Sequence, residues 1–218
     1  RSQQKNWERY NTMNDRYVSE ENFHNSKYCS KAGCPYHYRY NPTYAIFQEM
    51  KVMIGDIRGK NVIEYGCGEG WTTAELAALG GSINAFDISS VAVKHAQEYI
   101  EKKKLSDNCT LSKMAAESLD YPDEFFDIAF GFAILHHLDL SRAIPEMLRV
   151  MKVGASALFA EPLGTNPLIN LYRKHTPQFR TEDETPLVLD DFSCYCVKFK
   201  EFSHTEYYLS AIFSIGLA

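Results

Sequence analysis

One stretch limits the fold more than any other. From Val62 to Gly70 the chain reads Val-Ile-Glu-Tyr-Gly-Cys-Gly-Glu-Gly, a short apolar run holding one acid, then three glycines at alternate positions. Such a run reads as a strand over 61–65 buried on both faces, as in a parallel sheet. Glycines at 66, 68 and 70 let the backbone turn sharply and let a ligand approach with no Cβ in the way. A helix over 72–79 follows, closed by Gly80-Gly81. The dinucleotide form of this bend, G-x-G-x-x-G, requires glycine at position 71, where this chain has Trp71. Glu64 at the strand end repels a pyrophosphate and suits a cationic amino-acid group.

From Lys60 onward strand and helix patterns alternate. Strands are expected over 82–86, 109–113, 125–130 and 155–160, with helices starting at Ser89 or Ser90 and over 141–151. This alternation predicts an α/β chain: a Rossmann-like, mostly parallel sheet with helices on both faces. Ligands on such sheets bind at the carboxyl ends of the strands. Asp87, at the end of the second strand, stands where a carboxylate accepts hydrogen bonds from a ribose diol. A nucleoside with a ribose, a sulfonium and an ammonium but no phosphate fits Glu64 and Asp87 better than a dinucleotide does.

Flanking segments differ in character. Residues 1–41 are polar yet hold Trp7, Tyr10, Tyr17, Phe23, Tyr28, Tyr36, Tyr38 and Tyr40 without a clear period of 2 or 3.6. They are expected to form an irregular lid or cap, since disordered tails are poor in aromatics. The main domain is expected over 42–218, opening with a helix from Pro42 to about Ile54. After Glu161, four prolines punctuate an excursion with helices over 168–175 and 189–197 and a strand over 198–205.

These residues resemble the class I S-adenosylmethionine (SAM)-dependent methyltransferases, specifically the ubiquinone/menaquinone-biosynthesis-like group of small-molecule enzymes, from about Lys60 to Glu161. Glu64-x-Gly66-x-Gly68-x-Gly70 looks like the family's first motif and Asp87 like its ribose-binding acid. Ala115-Ala116-Glu117-Ser118-Leu119-Asp120-Tyr121 resembles a D-A-E-x-L-P-F pattern. Leu135-His136-His137-Leu138 resembles the motif after strand four, and Leu148-Arg149-Val150-Met151-Lys152-Val153-Gly154 the turn into strand five. The resemblance implies SAM as cofactor, leaving as S-adenosylhomocysteine, held by Glu64, Gly66, Cys67, Gly68, Gly70, Asp87, Ile88, Ala116, Glu117 and Phe132. Ala115 departs from the pattern, which often has an adenine-binding Asp there, so adenine is expected against the backbone near Ala116, against Glu117, or in apolar contacts. The family's closing antiparallel strand pair shows only one legible strand, so the C-terminal end is expected to be truncated or adapted.

For catalysis, His136 and Glu161 are the expected residues, with Tyr10, Tyr17 and His24 as further candidates for a base. His137 is expected to pin its loop through a hydrogen bond. The expected reaction is in-line transfer of the sulfonium methyl to a small-molecule acceptor, through oxygen or nitrogen in preference to carbon. The alternatives are a non-catalytic SAM-binding scaffold and an RNA or protein methyltransferase.

Charge and cysteine content narrow these. With a formal net charge of -5 and no long basic run, the chain has no footprint for a nucleic acid. The six cysteines are scattered, which suits reduced thiols and a cytoplasmic setting. Cys29-x4-Cys34 with His24 and His37 matches no standard zinc spacing, so no metal is expected. No apolar run is long enough to span a bilayer, and a chain starting at Arg1 is expected to be trimmed or processed. Oligomeric state is open at this point.

Overall fold

A computed structural model describes residues 2–30 and 42–162 and, beyond these, 164, 167–176, 187–188, 195 and 198–206. Helix α1 (Ser2–Ser30) and helix α2 (Pro42–Ile54) precede the alternation that the sequence predicts. That alternation runs β1 (Asn61–Tyr65), α3 (Trp71–Ala78), β2 (Ser82–Asp87), α4 (Ser90–Lys103), β3 (Cys109–Lys113), β4 (Phe126–Phe132), α5 (Leu140–Val150) and β5 (Met151–Ala160), followed by α6 (Pro167–His175). The five strands form one parallel sheet in the order β3-β2-β1-β4-β5. Chain order reverses between β1 and β4, and a crevice opens at the carboxyl ends of the strands at such a switch point.

Alternation along β1 splits the core in two. Val62 faces one apolar cluster with Phe47, Met50, Leu76, Ala96 and Ile128, so α2, α3 and α4 cover that side. Ile63 and Tyr65 face the other, with Ile144, Met147 and Val150 of α5. The helix α4 begins as expected at Ser89, whose side chain accepts from the Ala92 amide.

Three expectations change. Residues 2–30 are one helix and not an irregular segment. The face of α1 turned to the domain carries Arg16, Tyr17, Glu20, His24 and Tyr28. This stripe has helical spacing but is polar and aromatic, so a search for apolar period misses it, while apolar Val18 is 56% exposed. Strand β5 begins at Met151, earlier than expected, because Met151 pairs with Phe126 across a register shift before the ladder resumes at Ile128 and Ser156. Residues 198–206 form no strand: none of them joins the sheet, and 200–206 are exposed. The expected helix over 189–197 lies mostly outside the described residues, as do Cys34 and His37. Among the described residues, no helix is long and apolar enough to cross a membrane.

Candidate active site

The glycine bend is held by one carboxylate. Gly66 and Gly68 take positive φ angles of 67° and 50°, which only glycine adopts without strain. The Gly68 amide donates to Asp87 Oδ2 at 2.9 Å, and the Ser89 amide donates to Asp87 Oδ1 at 2.9 Å. Asp87 thus ties the bend after β1 to the start of α4. Burial raises its carboxyl pKa above the ordinary range, against the pull of those two backbone donors.

Above this bend lies a cavity of about 290 Å³, near the lower end of small-ligand pockets at about 300–1,000 Å³. Its floor is Gly66, Cys67, Gly68 and Asp87, and its flanks include Ile88, Ala116, Glu117 and Phe132. Eight of the ten residues expected to hold the cofactor therefore meet at one wall. Glu117 is buried and accepts from the Asp139 amide at 2.9 Å, and burial raises its carboxyl pKa.

Glu64 and Gly70 do not reach the cavity. Both carboxylate oxygens of Glu64 accept side-chain hydroxyls, Oε1 from Thr72 and Oε2 from Thr73, the latter at 2.6 Å. Burial pushes the Glu64 carboxyl up to about 7. A carboxyl so enclosed braces the start of α3 and is not presented to a ligand. Gly70 has φ 81°, and a Cβ there would stand 2.9 Å from the Ala96 Cα. Its lack of a side chain serves close packing of α3 on α4.

The expected catalytic pair is also set back from the cavity. Glu161 Oε1 accepts from the amides of Ile134 at 2.9 Å and Leu135 at 2.8 Å, while Oε2 lies 2.7 Å from His136 Nδ1. The two side chains are buried and brace the loop after β4. It is the neighbouring His137 that lines the cavity. Burial lowers the pKa of its imidazole below the ordinary value. Within the 3-10 turn Leu135–His137 the two rings pack with centroids 4.2 Å apart yet point to different surroundings. Sequence reading gave His137 a structural part because adjacent residues carry no signal of which one a tight turn aims inward.

Helix α1 lines the remaining side, where sequence reading named Tyr10, Tyr17 and His24 as candidate bases and Tyr28 among the lid aromatics. Arg16 Nη2 donates to the His137 carbonyl at 2.6 Å. Asn25 Oδ1 accepts from Ser89 Oγ at 2.7 Å and from the Val91 amide at 3.3 Å, and Lys113 pairs with Glu21 at 2.6 Å. Glu20, His24 and Tyr28 line the cavity. A Cβ at Gly68 would stand 3.0 Å from the Tyr28 hydroxyl, so the bend and α1 approach closely. Trp71, in place of the dinucleotide-type glycine, also lines the cavity and packs edge-on against Phe47 at 4.8 Å. Trp71, Met114 and Leu138 escaped the sequence reading of the wall, which Ala115 also lines. Tyr10 lies in α1, and its side chain is outside what the structure describes.

Residues 63–159 match the family model described as a methyltransferase domain. The ubiquinone/menaquinone biosynthesis C-methyltransferase UbiE of Pectobacterium carotovorum subsp. carotovorum (strain PC1) is 32% identical over 108 residues, 48% of this chain and 43% of the relative. The protein of the same name from Yersinia pestis bv. Antiqua (strain Antiqua) is 30% identical over 122 residues, 53% of this chain and 48% of the relative. The matches thus span somewhat under half the length of these curated relatives. Among solved structures, the YcgJ protein from Bacillus subtilis is similar with a TM-score of 0.62 and 21% identity, over 72% of this chain and 67% of that one. A SAM-dependent methyltransferase from Aquifex aeolicus gives a TM-score of 0.53 and 23% identity, over 63% and 72%. At these identities the structural likeness shows a shared fold.

Proposed function

We propose that the chain is a class I SAM-dependent methyltransferase of the ubiquinone-biosynthesis type that transfers a methyl group from SAM to a small-molecule acceptor, a reading supported by the methyltransferase-domain match over 63–159 and the likeness to the UbiE proteins. The observation that carries this reading is the Asp87 carboxylate, locked across the glycine bend by the Gly68 and Ser89 amides on the wall of the cavity. Those two donors leave lone pairs on both oxygens for a ribose diol. Gly66 and Gly68 line the cavity where a Cβ would press on the Ile134 side chain and the Tyr28 hydroxyl, and Ile88, Ala116 and Glu117 give an apolar flank with one acceptor, suited to adenine. When bound, SAM supplies a methyl group already activated on a sulfonium. The protein's work is then to bind, orient and exclude water, with alignment worth roughly 7–11 kcal/mol at best.

We assign Glu161 and His136 to positioning: they hold the loop that aims His137 inward. The acceptor side is assigned to α1 with His137. The helix brings the polar side chains of Glu20, His24 and Tyr17 to that side of the cavity, which supports an oxygen or nitrogen nucleophile. A carbon acceptor is the second reading, favoured by the names of the curated relatives, which are C-methyltransferases.

The test is incubation with methyl-labelled SAM and a small-molecule cell extract. Label should enter filtrable small molecules and should fall sharply in the Asp87→Ala chain. The carbon-13 shift of the transferred methyl separates O-, N- and C-methyl products. Label on protein or RNA would overturn the small-molecule reading, and SAM binding without any transfer would favour a non-catalytic scaffold.

A further inference from the structure

We propose that Glu20, His24 and His137 form a binding site for a divalent transition-metal ion, Zn²⁺ by ligand set, on the wall of the cofactor cavity. Glu20 and His24 lie four residues apart on α1, hence on one face of the helix. His137 comes to them from the 3-10 turn after β4. Glu20 Oε2 lies 3.3 Å from His24 Nε2 and 3.5 Å from His137 Nδ1, and the ligand atoms all fall within 4.8 Å of one another.

These spacings are the argument. Ligands about 2.0–2.2 Å from a tetrahedral zinc stand about 3.3–3.6 Å apart, and the two distances to Glu20 already have that value. A direct imidazole–carboxylate bond closes to about 2.7–2.9 Å, as His136 and Glu161 do at 2.7 Å in the same loop. The cluster is held open by comparison, although its side chains are only 5%, 14% and 13% exposed. His137 Nδ1 is enclosed, and among the described residues its polar neighbour is the Glu20 carboxylate at 3.5 Å, with no closer hydrogen bond made.

Two imidazoles and one carboxylate form a catalytic zinc set, which keeps a fourth position open. Imidazole also favours Zn²⁺ and its neighbours over Mg²⁺ or Ca²⁺. All three residues line the cavity, so a ligand in the cavity would reach an open fourth position of a metal held there. An acceptor oxygen, nitrogen or sulfur held there would release its proton to water more readily and keep its lone pair for the methyl carbon. That use rests on the methyl-transfer reading, whereas metal binding does not.

The experiment uses the full chain stripped with a chelator, titrated with Co²⁺ by visible absorbance and with Zn²⁺ by calorimetry. One equivalent is expected. Glu20→Gln, His24→Gln and His137→Gln should each weaken binding by more than the roughly 10–100-fold typical of an outer-shell change. His175→Gln, on exposed α6, should not alter it. Absence of stoichiometric binding to the parent chain overturns the site. So does tight binding that survives in all three variants, which would place the metal elsewhere. SAM titration of the same samples reports folding: a chain that binds SAM but no Zn²⁺ refutes the metal alone, and one that binds Zn²⁺ but no SAM refutes the cofactor reading alone.

Discussion

Replacing Glu64 by Gln should remove a defined part of the protein's pH dependence. The carboxyl stands near 7 in the folded chain against an ordinary 4.5, chiefly because burial penalises its charged form more than the Thr72 and Thr73 hydroxyls favour it. At about 1.36 kcal/mol per pH unit, the folded state holds this proton more tightly by about 3 kcal/mol. The sign follows from linkage. Below the ordinary value both states are protonated and the whole contribution is present; as pH rises through the folded value it is lost. Other groups titrate too: burial raises Asp87 and Glu117, while Lys152 and Arg149 hold Asp127 and Glu146 down. The informative quantity is therefore the difference between the parent and Glu64→Gln, measured by urea unfolding from pH 4.5 to 8. The parent should lose about 3 kcal/mol relative to the variant across that window. A difference that stays flat with pH would refute the reasoning, because it would mean that Glu64 is ionised in the folded protein at all these pH values.

Three further outcomes follow from the same geometry. Gly70→Ala should destabilise the fold by about 2–5 kcal/mol, from the left-handed φ of 81° and backbone contact with Ala96, as read by thermal or urea unfolding. Asp87→Asn keeps the shape but cannot accept through both atoms, so SAM affinity measured by calorimetry should fall roughly 10–100-fold, the equivalent of about 1.5–3 kcal/mol for a charged hydrogen bond. Asn25→Ala frees Ser89 Oγ and the Val91 amide from α1; SAM affinity should drop roughly fivefold to tenfold, about 1 kcal/mol, and proteolysis within α1 should speed up.

How far the sequence was legible depended on where each signal is stored. The strand, bend and helix from Val62 to Ala78 and the cap at Ser89 are local patterns of apolar runs, glycines and a capping hydroxyl, and they appear where expected. Asp87 was legible for the same reason, since its place at the end of β2 fixes what it faces. Glu64 and Gly70 belonged to the motif but not to the cavity, because their partners, two threonine hydroxyls and Ala96, are decided by packing of α3. Helix α1 was missed because its inward stripe from Arg16 to Tyr28 is polar, and amphipathic reading looks for apolar residues. Which of His136 and His137 faces the cavity was not legible, because a single 3-10 turn decides which ring meets Glu161 and which meets the cavity.

The central claim is that the cavity above the glycine bend holds the SAM nucleoside with its ribose on Asp87. A crystal structure of the full chain with S-adenosylhomocysteine tests it most directly. The ribose hydroxyls are expected within hydrogen-bond distance of the Asp87 carboxylate, and the adenine beside Ile88, Ala116 and Glu117. A ribose seated away from Asp87, or a nucleoside bound outside the cavity, would contradict it.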